Sequence, residues 1–371
     1  MTVPVSAGQD ALEWRDRALV ALDEGNPQQA LELARRGLMV LDETGPGGGL
    51  DKLDRAALLI AVAEIEERLD RFGAAGESAD AAIELLGGDN GPDRSSGESD
   101  AVLLWCQAQE RKAGLERLSG EFAAAAGRLT QAIEIASAEF GEASMAVVAA
   151  ANALGVVGKH SGEFDAATAA YERAMAAAEK LDARDPLVEA ALLHNLGGLA
   201  HSRGDAGTGI PLAERGLQVR TEELGAHHPD VAADLNALSA LYHLAGRFTD
   251  ADEAGQRALA IFERCYGPDH FEVAMTCANL AVFRADQDEF GPAEELHRRS
   301  LLILESVLGP DDAEVGLTKL NLAVAVAGQD RLVEAAALAV EAEAILSGRL
   351  PAGHPFLEAA GNAVKKFGEP A

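Results

Sequence analysis

The chain has 371 residues, 48% of them hydrophobic but only 4% aromatic, and a formal net charge of −30. Such an acidic surface repels nucleic-acid phosphates and anionic lipid, so neither is an expected partner. Abundant Ala, Leu, Glu and Arg with few β-branched residues argue against a sheet protein and for helices.

In chain order, residues 1–10 read as a flexible N-terminus with no basic-then-apolar order of a signal peptide. Residues 11–88 read as two divergent helix pairs, the first carried by Trp14, Ala18, Ala30 and Ala34, the second by Leu59, Ala63, Ala75, Ala79 and Ala82. A polar, Gly-rich stretch from Gly87 to Asp100, bounded as 89–100, reads as a long mobile loop. From 101 to 353 six units follow, in which similar segments open at Glu121, Glu163, Asp205, Arg247, Glu289 and Arg331, each 42 residues after the last. Six phased units mark a repeat array, which grows by stacking. Residues 354–367 form a last helix that caps the open apolar end, and 368–371 a tail. No apolar run reaches the roughly 18–20 residues that span a bilayer, so the chain is expected in the cytoplasm.

Each unit holds two helical patterns. Ala167, Tyr171, Ala174 and Met175 make the apolar face of one second helix, and Leu235, Leu238, Leu241 and Tyr242 that of one first helix. Gly225, Gly267 and Gly309 end second helices. Asp230, Glu272 and Glu314 recur at the start of the next helix, where a carboxylate meets the positive end of the helix dipole. The expected fold is all-α, about eight antiparallel helix pairs plus a C-terminal capping helix.

Leu154, Gly155, Ala167, Tyr171 and Ala174 stand at a spacing that resembles the tetratricopeptide consensus. The 42-residue period, the segment LGAHHPDVA at 224–232 and NLA at 279–281 and 321–323 are similar to its kinesin-light-chain-like subtype. The resemblance implies a right-handed α-solenoid whose first helices line a concave face. It also implies a protein-binding scaffold. The family's clamp for C-terminal carboxylates needs Lys or Arg where this chain has Ala149, Ala191, Ala233, Met275 and Leu317, so that ligand class is not expected.

No phosphate-binding loop, HExxH, GxSxG or dinucleotide fingerprint occurs, and no enzyme activity or cofactor is expected. Cys106, Cys265 and Cys277 lack metal spacing and read as small core residues. His228, His270 and His354 recur between units, but neighbouring repeats lie about 10 Å apart, too far for shared coordination at about 2 Å. No metal is expected, and these histidines read as turn or capping residues.

The candidate ligand residues lie on the first helices. Counted from the consensus small residue, four positions on come Lys159, His201 and His243, three positions back Asn152, His194 and Asn236, and two back Asn195, Asn279 and Asn321. A side-chain amide both donates and accepts, as a peptide unit does, so rows of Asn suit an extended peptide. The same amides are equally suited to pairing with each other between repeats. The expected function is a non-enzymatic scaffold that binds an extended peptide or partner helix, and the surface charge admits a basic segment as that peptide. The alternative is a sensor of a small peptide or metabolite that signals through a partner protein. The oligomeric state stays open.

Overall fold

The structure is a computed structural model that describes residues 7–23, 25–43, 49–69, 71–92, 99–350 and 354–368. The N-terminal residues 1–6, the loop residues 93–98 and the tail residues 369–371 lie outside these. Every long element among the described residues is a helix. The chain divides into two compact units, Met1–Leu192 and Leu193–Ala371.

The first unit contains α1 (Ala7–Asp23), α2 (Pro27–Glu43), α3 (Gly49–Arg68), α4 (Phe72–Leu86), α5 (Ser99–Leu118), α6 (Phe122–Phe140), α7 (Met145–Ser161) and α8 (Phe164–Ala178). The division falls within α9 (Pro186–Ser202). The second unit continues with α10 (Ala206–Leu224), α11 (Pro229–Leu244), α12 (Phe248–Tyr266), α13 (Phe271–Ala285), α14 (Phe290–Val307), α15 (Ala313–Ala327), α16 (Leu332–Arg349) and α17 (Pro355–Gly368). Each unit is an all-α stack of helix pairs of the solenoid type. The last helix buries Ala360, Ala363 and Phe367 against the α15–α16 pair. Among the described residues no helix is long and apolar enough to cross a membrane.

Small residues set the packing distance. Ala167, Ala174, Ala251, Ala258, Ala335 and Ala342 are fully buried, each where a second helix crosses a first. Gly155 of α7 lies directly beneath the Tyr171 ring of α8, and a Cβ at Gly155 would overlap that ring. The Tyr171 ring is itself fully buried and has nowhere to move. Gly155→Ala is therefore expected to cost about 1–3 kcal/mol by overpacking, read as a lower urea midpoint. Adding Tyr171→Leu should recover part of the loss.

The junctions between repeats follow one plan. Gly225, Gly267 and Gly309 adopt φ of +84°, +89° and +89°, a conformation open to glycine without a Cβ clash. The next helix is then capped by a side chain. Nδ1 of His228 accepts the backbone N–H of Asp230, Nδ1 of His270 that of Glu272, and Oδ1 of Asp312 that of Glu314, at 3.2, 3.2 and 2.8 Å. His354 does the same for Phe356. The recurring histidines thus satisfy helix N-termini in place of the usual Asp or Ser.

Three expectations are corrected. Helix α1 starts at Ala7, so residues 7–10 of the expected flexible stretch 1–10 are helical. The start of the loop after α4 is tied down. Residues Gly88–Asn90 form a 3-10 turn, the Trp105 indole N–H donates to Gly88 O at 2.9 Å, and Gln131 donates to Asp89 O. A fully buried Trp needs an acceptor for its N–H, and this loop supplies it. Cys106 and Cys277 are core residues, but Cys265 is exposed. It lies in the last turn of α12, beyond Phe262, where its thiol reaches the His227 carbonyl at 3.5 Å.

Candidate ligand-binding face of the first helices

In the second unit the candidate residues fall into three different settings. Asn236 on α11 and Asn279 on α13 are both half-buried, and Asn279 Nδ2 donates to Asn236 Oδ1 at 3.3 Å. The sequence had placed these two residues in separate rows. The structure joins them as one diagonal rung, because the facing residue on the next first helix is 43 positions along. The bond uses one N–H of Asn279 and the oxygen of Asn236, and leaves the NH2 of Asn236 as donor and the carbonyl oxygen of Asn279 as acceptor. Asn321, on α15, is half-buried as well.

His194 is held inside the unit. Its Nδ1 lies 2.7 Å from Asp234 Oδ1, and the same oxygen receives Arg220 Nη1 at 2.7 Å. The Asp234 side chain is only 2% exposed and that of Arg220 11%. A carboxylate this buried persists because a guanidinium and an imidazole share it. His194 is therefore one member of a packed charge network. Asp234 and Arg220 were missed in the sequence. The available signal was an Asp between Ala233 and Leu235, at a position where a first helix turns inward.

His243 stacks on Phe283 with ring centroids 4.4 Å apart and 17° between planes. Its Nε2 stands 3.2 Å from Asp286 Oδ2. The ring is thus held against an aromatic face of the next repeat, with a carboxylate of that repeat close to its Nε2 edge. His201 is exposed, while Asn195 is half-buried, and neither is free of intramolecular contacts.

In the first unit Asn152 and Lys159 lie on α7, both half-buried, and Asn152 has a partner within the chain. Burial and then the neighbouring Arg117 hold the Lys159 ammonium below its usual range, and the same two causes, with Lys159 added, act on His160. Like charges side by side in an acidic protein make this a small basic spot on α5 and α7.

Family models for the tetratricopeptide repeat match residues 188–264 and 273–314. Among curated proteins no sequence matches the chain. Solved structures share its fold. BtubC (BKLC) from P. vanneervenii is 22% identical, with a TM-score of 0.52 over 64% of this chain and 95% of that one. RapI in its apo form is 13% identical, with a TM-score of 0.56 over 81% of this chain and 99% of that one. A Rap protein complexed with competence and sporulation factor is 14% identical, with a TM-score of 0.50 over 97% of each chain. At identities this low the likeness is one of architecture.

Proposed function

We propose that this chain, a tetratricopeptide-repeat protein and so a scaffold for protein–protein interaction, holds an extended peptide segment of its partner along the first helices of its second unit. The observation that carries the reading is the Asn236–Asn279 rung. One amide of the pair orients the other, and the two groups left over match the N–H and C=O of a single peptide unit. His243, two turns beyond Asn236 on the same helix α11, is stacked on Phe283 with its side chain 18% exposed. The reading assigns no reaction and no cofactor to the chain. Its unpaired thiols suit a reducing cytoplasm.

Selection of a phage-displayed random peptide library on the wild-type protein supplies the ligand for a test. Asn236→Ala with Asn279→Ala is expected to weaken the selected peptide about tenfold or more, the equivalent of one to two hydrogen bonds. The circular dichroism of the variant should match wild type. Unchanged affinity would remove the rung from recognition and leave it a packing device between repeats.

A further inference from the structure

A cavity of about 570 Å³ opens between α1, α3 and α5, the first helices of the first three pairs. Its aliphatic lining is Leu19, Ile60 and Leu104 with Ala57 and Ala61. Its polar lining is Arg15, Glu64, Gln107, Glu110 and Arg111. The charges of this lining are unevenly matched. Arg15 is taken by Asp16 at 2.7 Å. Arg111 is shared by two carboxylates, Glu64 at 2.7 Å and Glu67 at 3.4 Å. Glu110 lines the cavity and has no hydrogen bond or ion pair among the described residues. Burial drives its carboxyl up to about 7 despite the pull of Arg111. The two guanidiniums are thus already neutralised within the chain, one of them twice over, and the remaining carboxylate is the group without a partner.

We infer that this cavity binds the side chain of a lysine or arginine presented by the partner, its alkyl stem on Leu19, Ile60 and Leu104 and its charged head on Glu110. A long basic side chain has this division, an apolar stem and a cationic tip. A desolvated carboxylate gains a charge-assisted hydrogen bond when such a tip arrives. The chain's net charge of −30 draws the same class of partner toward it. The site lies on helices other than those of the Asn236–Asn279 rung and stands or falls apart from it.

The probe is Nα-acetyl-lysine N-methylamide, compared by saturation-transfer NMR with its norleucine and glutamate counterparts on the full chain. The lysine compound should give a saturable signal, displaced by the arginine counterpart. The norleucine compound, which keeps the stem and lacks the charge, should bind at least tenfold more weakly. Glu110→Gln removes the charge with nearly the same shape and should abolish the difference between lysine and norleucine, while the melting curve shows the unit still folded. Equal binding of lysine and norleucine, retention of the lysine preference in Glu110→Gln, or preferential binding of the glutamate compound would each overturn the assignment. The last would mean that Arg15 and Arg111 govern the cavity.

Discussion

Arg220→Met is expected to destabilise the second unit by about 3–5 kcal/mol, the range for removing one partner of a buried ion pair. Asp234 would keep its buried position with His194 as its one remaining partner, and the Arg220 contact to the Asp230 carbonyl at the start of α11 would go as well. The penalty arises from the carboxylate left behind. Arg220→Met with Asp234→Leu should therefore be less damaging than Arg220→Met alone, although it removes more charge. His194→Ala should cost less than Arg220→Met, because Arg220 still holds Asp234. Both tryptophans, Trp14 and Trp105, belong to the first unit. Their fluorescence is blind to this network, and the loss has to be read from hydrogen exchange in α10 to α13 during urea unfolding. A loss below about 1 kcal/mol for Arg220→Met would place the pair in the class of surface salt bridges.

The second large effect is a dependence of stability on pH that differs between the units. His297 of α14 is 1% exposed, and neither ring nitrogen finds a partner within the chain. Burial lowers its pKa from the ordinary 6.5 to about 4. The folded unit keeps the imidazole neutral where an unfolded chain would protonate it. The contribution of His297 is therefore fully present above pH 6.5 and is lost as pH falls from there toward 4, by about 3 kcal/mol in all. Glu110 of the first unit acts with the opposite sign. Its pKa is raised from 4.5 to about 7 by burial, so its contribution is present below pH 4.5 and fades as pH rises toward 7. Acidification from pH 7 to 5 should weaken α13 to α16 in hydrogen exchange and firm the tryptophan-reported transition of the first unit. His297→Leu should flatten the acid loss of the second unit. An acid loss that persists in His297→Leu would assign it to other groups.

The repeat itself was legible in the sequence because it is written in residues with few conformational alternatives. Glycine at +84° to +89° and the acidic residue that follows each cap recur at a fixed period, and Ala at the helix crossings admits one packing distance. The capping histidines were legible as a class through their position between units, although not the acceptor role of Nδ1. Side-chain pairing across helices was less legible, since it depends on a diagonal offset that a single-repeat register hides. Asn236 and Asn279 stood in two rows for that reason, and His194 stood with the amides while its partners Asp234 and Arg220 went unnoticed. The unpaired Glu110 was invisible for a related reason. A Glu beside an Arg in sequence looks neutralised, whereas Arg111 spends its charge on Glu64 and Glu67 of α3.

The most direct test of the binding account places a photocrosslinking benzoylphenylalanine at Met275, one turn before Asn279 on α13, and in a second protein at Ala260, on the exposed face of the second helix α12. Each is irradiated with the peptide selected on the wild-type chain. Adducts formed from position 275 and absent from position 260 are the predicted result, with the peptide lying along the first helices. Adducts from position 260 alone would put the partner on the second helices and contradict the account.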